Sequence, residues 1–314
     1  MMNKVSQDLF DVNIITYLDD ILIFLHNPEE HKSHVKEVLQ RLMDMQLFCK
    51  GSKCKFHQTT VEYLGIIVLD KGYSLDKLKI QAVQEWLMPA TVKQLQSFLG
   101  FANFVCCFVA NFSQIACPLH NLVKKEVKWQ WLEAEESAFR KLQQAIITAP
   151  VIVHTNPTKP YYLETNTSGA ALGSVLSQCQ EDGCLHLIGY LSESFKGAKQ
   201  KYNTHDKELL AIIQSFEHWC IYLEGTTTPI MVFTDHCNLE YWKESQMFNH
   251  RHACWHLLLA GFHFHIMYRP GKQSTKPDAL SYQANHLDIP LANQSMLPES
   301  VFANISMILP EKEI

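Results

Sequence analysis

Three carboxylates in the second half of the chain could do metal chemistry: Glu208 in Thr-His-Asp-Lys-Glu-Leu-Leu-Ala, Asp235 in Val-Phe-Thr-Asp-His and Asp278 in Lys-Pro-Asp-Ala-Leu-Ser. Each follows a segment that reads as a separate strand or helix, so a fold can bring them to one strand-end cleft. Such a cluster suits phosphodiester hydrolysis, because carboxylates are hard oxygen ligands for Mg²⁺. Two such ions about 3.5–4 Å apart activate water and stabilise the leaving oxygen. Asn166, in Tyr-Leu-Glu-Thr-Asn-Thr-Ser-Gly, ends another strand-like run. Its carbonyl can coordinate an ion but brings no charge. Taken singly, each acid is most simply a solvated surface carboxylate, the usual state of Asp and Glu. Their joint context is what lifts them above it.

The elements that must position these residues can be read from periodicity. Tyr161 to Glu164, Leu172 to Gln178 and Leu185 to Leu191 read as three successive strands, broken at Gly169 and at Asp182-Gly183. Thr204 can cap a helix running through Leu209, Ile212, Ile213, Phe216 and Leu223, with Gly225 as its stop. Ile230 to Thr234 reads as a short buried strand. Phe262 to Tyr268 alternates, which turns His263 and His265 to solvent. Upstream, residues 12 to 24 read as two β-rich runs joined at Asp19-Asp20, a hairpin with both carboxylates at its tip. Asn27 is an N-cap candidate, with Pro28, Glu29 and Glu30 following and Val35, Val38, Leu39 and Leu42 at helical spacing. Val61 to Val68 reads as one more strand. From 73 to 150 the pattern is helical, with Thr91 and Gln94 as a capping box before Leu95, Phe98, Leu99 and Ala102, and a second helix over Ala134 to Ile147.

Composition bounds what the chain can be. Its 314 residues, 47% of them hydrophobic, suffice for two or three compact units. A net charge of −5 argues against an unaided electrostatic grip on nucleic acid and leaves local patches or bridging metal ions. No secretory leader and no long apolar run is evident, so a cytoplasmic or nuclear protein without membrane insertion is expected. The ten cysteines are scattered and read as thiols. A zinc site from Cys49, Cys54 and His57, with His31 and His34 upstream, lacks a second Cys-x-x-Cys, and a purely structural role is the better reading. Arginine is scarce: only Arg41, Arg140, Arg251 and Arg269 occur, beside sixteen histidines.

Together the segments resemble the pol polyprotein of gypsy-class LTR retrotransposons over about residues 8 to 284. Tyr17-Leu-Asp-Asp20 is similar to the reverse-transcriptase palm motif, and Phe98-Leu-Gly-Phe-Ala-Asn-Phe104 to the thumb and connection signature. Glu164-Thr-Asn-Thr-Ser168, Asn203-Thr-His-Asp-Lys-Glu-Leu210, Thr234-Asp-His-Cys-Asn-Leu239, Tyr268-Arg-Pro-Gly271 and Asp278-Ala-Leu-Ser281 follow the RNase H domain in order.

The resemblance implies a mixed α+β and α/β architecture. A partial reverse-transcriptase palm would occupy 1–72, a helical thumb and connection 73–150, and an RNase H-like mixed β-sheet flanked by helices 151–284. The tail, 285–314, is expected to be disordered. It also implies Mg²⁺ as cofactor, an RNA–DNA hybrid as nucleic-acid partner, and RNA-directed DNA synthesis and RNA-strand cleavage as ancestral activities. Glu208, Asp235 and Asp278 would be metal ligands of the nuclease, and Asp19 and Asp20 two of the three polymerase carboxylates. The third polymerase acid would lie upstream of Met1, so polymerase activity is not expected. Asn166 stands where the family carries a metal-bridging Asp, so nuclease activity is expected to be impaired. Cys106, Cys107, Cys117, Cys220, Cys254 and His252 stand where members often carry arginine, a change that cytosine deamination in arginine codons produces. The rival reading is a non-catalytic module that binds hybrid or a protein partner, with Lys124, Lys125, Lys128, Lys196, Lys199 and Lys201 as its cations.

Overall fold

The computed structural model describes residues 14–25, 27–236, 239 and 250–269. The chain divides into two compact units, Met1–Asp70 and Lys71–Ile314.

The first unit begins with an antiparallel hairpin of β1 (Ile14–Tyr17) and β2 (Asp20–Ile23), in which Tyr17 pairs with Asp20. The turn residues are Leu18 and Asp19, with Leu18 at φ 55°, so the tip lies one residue earlier than the Asp19-Asp20 step expected from sequence. Asp20 already belongs to the ladder. Helix α1 (Pro28–Asp44) starts as its sequence dictates: the Asn27 side chain accepts from the Glu29 N–H at 3.0 Å, and proline occupies the first turn, where no donor is needed. Its Val38 and Leu42 pack on Ile14 in a small core. The run Val61–Val68 is a hairpin and not one strand. β3 (Thr60–Tyr63) pairs with β4 (Ile66–Leu69) across Leu64 and Gly65, both at positive φ (51° and 78°), the tight two-residue turn that matches strand twist.

The second unit opens on β5 (Gly72–Leu75), which pairs with β6 (Ile152–Val153) and so brackets four helices. These are α2 (Lys77–Gln84), α3 (Val92–Phe104), α4 (Phe112–Leu122) and α5 (Glu133–Ile147). The Thr91 hydroxyl accepts from Gln94 N–H, while Gln94 reaches back to the Ala90 N–H at 2.7 Å, one residue earlier than a strict capping box. Leu95, Phe98, Leu99 and Ala102 are all buried, and Phe98 meets Phe139 of α5 with ring centroids 4.6 Å apart. Buried Gln143 ties α5 to the end of α2 through the Val83 carbonyl at 2.7 Å.

A five-stranded mixed sheet follows, ordered β11-β10-β7-β8-β9. β7 (Tyr161–Thr167), β8 (Ala171–Cys179) and β9 (Leu185–Ser194) are antiparallel, whereas β10 (Ile230–Thr234) runs parallel to β7 and to β11 (Phe264–Tyr268). Helix α6 (Thr204–His218) buries Leu209, Ile212, Ile213 and Phe216 on the core with Leu163, Leu172 and Val232. Its cap is Asn203, whose side chain accepts from the Asp206 N–H at 2.7 Å; Thr204 is the first helical residue. The helix is also shorter than expected. It yields at Trp219, a buried ring of the same core, and resumes only as the four-residue α7 (Cys220–Leu223). Helix α8 (His250–Leu259) leads into β11, where His263 and His265 are exposed as their alternation requires. Helix α4 joins this sheet directly, since the Ser113 hydroxyl donates to the Ser192 carbonyl at 2.7 Å and Ser113 N–H donates to Ser192 Oγ at 3.0 Å.

Gly72 is the position with least freedom. At φ 158°, a Cβ would stand 2.0 Å from the Ile152 carbonyl oxygen, a backbone atom that cannot step aside without breaking the β5–β6 pairing. Gly72→Ala is expected to destabilise the second unit by at least ~2 kcal/mol, the range of an overpacked site. Thermal unfolding reads this out, and an unchanged midpoint would contradict the close approach.

Candidate active site

Parallel pairing of β7 with β10 sets the site. Tyr162 pairs with Met231 and Glu164 with Phe233, and the same register carried two residues further brings Asn166 level with Asp235 at the carboxyl ends of both strands. Adjacent strands lie about 4.7–4.9 Å apart, so the two side chains share one edge of the sheet. The buried Thr165 hydroxyl, 3.5 Å from the Phe233 carbonyl, adds a side-chain link at this end. Asn166 and Asp235 are both exposed there.

Glu208 reaches the same edge from the first turns of α6. It is 3% exposed, an unusual condition for a carboxylate. The Thr167 hydroxyl donates to its Oε1, while Oε2 is buried with no hydrogen-bond partner. Burial foremost, with the Asp235 charge adding to it, pushes this carboxyl up to about 7 against the opposing pull of the Thr167 hydroxyl. An acid kept largely dry, facing a second acid and offering an unused oxygen, is what a hard cation requires of its ligands. The donor set therefore fits a divalent ion, with one shortfall: the third member on the strand edge, Asn166, is neutral. Asp278 lies outside the described residues. Among the described residues no three His, Cys, Asp or Glu side chains close on a common point. His31 and His57 meet only edge to face, 5.7 Å between centroids. Asp19 and Asp20 lie exposed at the β1–β2 tip of the first unit. The nine cysteines among the described residues are free thiols.

Sequence reasoning missed the ionic groups behind the carboxylates. Asp206, 5% exposed, accepts from Arg251 and from His252 Nε2 at 2.7 Å. Glu164, two residues before Asn166, lies 4.0 Å from Arg269 Nη1. Helical spacing carried part of this: Asp206 and Glu208 are two residues apart, so they cannot point at one ion.

A mixed sheet whose parallel pair ends in Asn166 and Asp235, with Glu208 on the helix that crosses it, gathers two acids and an amide at one strand-end edge. Comparison with known proteins supplies the class. Residues 131–232 match the family described as the RNase H-like domain found in reverse transcriptase, and residues 1–68 match reverse transcriptase (RNA-dependent DNA polymerase). The polyproteins of transposons Tf2-3 and Tf2-7 of Schizosaccharomyces pombe are 39% and 38% identical over 282 residues, 89% of this chain and 21% of each relative. The chain thus spans about a fifth of the length of the curated relatives it matches. It belongs to the retrotransposon polyproteins, as a stretch of reverse transcriptase continuing into an RNase H-like domain. Foamy viral protease-reverse transcriptase has the same fold. In its complex with double-stranded DNA the TM-score is 0.70 at 20% identity, covering 85% of this chain and 47% of that one. In its complex with RNA/DNA hybrid the TM-score is 0.69 at 19% identity, covering 95% and 39%. No helix among the described residues is long and apolar enough to cross a membrane.

The raised Glu208 carboxyl has a measurable sign. Its folded value, about 7, exceeds the ordinary 4.5, so the folded chain keeps a proton that the unfolded chain has released between those values. Stability is therefore fully present below the lower value and falls as pH rises to the upper one. At ~1.36 kcal/mol per pH unit the loss across this window is about 3 kcal/mol. In metal-free buffer Glu208→Gln should abolish that slope. Wild-type and variant melting curves that run parallel from about pH 5 to about pH 8 would show that the folded carboxyl carries no proton there.

Proposed function

We propose that residues 151 to 284 are an RNase H-type nuclease domain acting on the RNA strand of an RNA–DNA hybrid, and that Asn166 has impaired it. The reading is carried by one observation: a buried Glu208 oxygen without a partner, at the strand edge where Asp235 and Asn166 stand level. Glu208 and Asp235 would hold Mg²⁺, joined by the Asn166 carbonyl and, by resemblance, by Asp278. When bound, such ions supply the Lewis acidity that activates water and stabilises the leaving oxygen. The protein's own contribution is to place the ligands. Thr167 fixes one Glu208 oxygen and leaves the other, buried, without a hydrogen-bond partner. Burial of Glu208 keeps water from competing for it, and exposed Asp235 forms the open side that a phosphate can approach.

Losing one charge at the strand edge weakens both metal attraction and stabilisation of developing negative charge, a loss on the scale of removing one preorganised electrostatic group from an active site. With a net charge of −5, the chain depends on bridging ions and local lysines to hold a polyanion. In the first unit Asp19 and Asp20 are proposed as polymerase carboxylates of the reverse transcriptase, which present their oxygens at a hairpin tip. The nuclease site is intended for the cytoplasmic or nuclear phase of a retrotransposon's replication.

Asn166→Asp is expected to raise cleavage of the RNA strand by at least ~100-fold over the chain as it stands, a factor worth ~2.7 kcal/mol. The same variant should tighten Mg²⁺ binding measured by calorimetry without nucleic acid. Adding Asp235→Asn should remove both gains. A folded Asn166→Asp protein that neither binds Mg²⁺ nor cleaves hybrid would sink the proposal.

A further inference from the structure

Asp206 sits two residues before the proposed ligand Glu208, yet its carboxylate is fully engaged elsewhere. Oδ2 accepts from Arg251 and Oδ1 from His252 Nε2 at 2.7 Å, both from the first turn of α8. The Arg251 guanidinium is flanked by two rings, 4.1 Å from the centroid of Tyr202 and 5.2 Å from that of Trp255. His252 faces His205 at 6.5 Å between ring centroids, and His205 faces His236 at 5.1 Å. His236 is the residue after Asp235.

The first turn of α6 therefore meets both ends of the chain that joins β10 to α8. At the β10 end, the Leu239 N–H donates to the His236 carbonyl at 3.1 Å, and the Leu239 side chain is completely buried in the core of the sheet. At the α8 end the first turn places no side chain in that core, and its fixed points are the two bonds to Asp206; Trp255 and Leu258 meet the core from later turns, and only Leu259 is fully buried.

We propose that Asp206 is a positioning residue for the Glu208–Asp235 pair: by clasping Arg251 and His252 onto α6 it closes the row His252, His205, His236 and so holds Asp235 against the helix that carries Glu208. This rests on the nuclease reading for its consequence, though not for its geometry. Asp206 is no metal ligand, since both of its oxygens are taken by donors. It matches the partners behind metal ligands whose loss typically costs 10–100-fold in affinity.

The test uses the full chain carrying Asn166→Asp. Asp206→Asn, which keeps the shape and one acceptor, is expected to weaken Mg²⁺ binding by ~10-fold or more, measured well below the melting temperature. It should also remove the nuclear Overhauser contact between the His205 and His236 rings in metal-free protein. Arg251→Lys keeps the charge but loses the flanking rings and the fork, and is expected to shift both readouts in the same direction by a smaller factor. It carries the test if Asp206→Asn does not fold. Unchanged affinity together with an unchanged ring contact in a folded variant overturns the proposal, because a residue needed only for stability moves the melting temperature and neither readout. Should Asn166→Asp alone bind no Mg²⁺, the nuclease reading fails, and the ring contact by itself then decides whether Asp206 positions Asp235.

Discussion

Everything at the site depends on the parallel register of β7 and β10. Because side chains alternate along a strand, a slip of one residue would send Asp235 to the opposite face and leave Asn166 level with Thr234 or His236. The register is held by what lies further down the same two strands: Leu163 and Val232 are both completely buried against α6, and Glu164 is level with Phe233. A hydrophobic commitment in the middle of the sheet thus fixes a polar arrangement at its end. Helix α6 is bound by the same core through Leu209, Ile212 and Phe216, so the height of Glu208 over the strand ends follows from packing.

That packing has an electrostatic cost which bears on Asn166. Glu208 is already pushed up to about 7 by burial, with Asp235 adding to the shift, so the metal-free site resists holding a second negative charge. A third carboxylate on the same edge would increase the repulsion. Asparagine at 166 relieves it while keeping the size of the side chain. In a chain under selection for cleavage the repulsion is tolerated because bound cations neutralise it; without that selection the amide is the more stable choice. On the proposed reading, one substitution would therefore move stability and activity in opposite directions.

Much of this was legible in the sequence. Strand-like runs bounded by turn residues located β7 to β9, a short apolar run β10 and alternation β11, and the caps at Asn27 and Thr91 came from their residue types alone. Two hairpin tips were not read correctly, and for one reason. Leu18 and Leu64 adopt positive φ, a conformation that leucine disfavours, so neither turn carried the usual residue at its first position. The break in the helix at Trp219 was hidden because the apolar spacing continues through it; the ring's place in the core is a tertiary fact. At the site, residue types gave Glu208 and Asp235, whereas the Asp206–Arg251–His252 clasp joins residues more than forty positions apart and left no local pattern.

The scarce arginines show how nucleic-acid contact must be arranged. Arg251 is committed to Asp206, Arg269 lies by Glu164, and Arg41 bonds Glu37 at 2.6 Å within α1. Positions where the resemblance calls for arginine hold thiols: Cys106, Cys107, Cys117 and Cys220 are half-buried and Cys254 is exposed. Away from the fully buried core such a change leaves no large cavity, and a thiol offers no bidentate donor where an arginine could. What remains for a polyanion is exposed Arg140 on α5 and lysine, including Lys196, Lys199 and Lys201 in and before the short turn Gly197–Lys201. Lysine grips phosphate as a point charge, so on the proposed reading contact with a polyanion is weighted toward the non-specific, salt-sensitive kind.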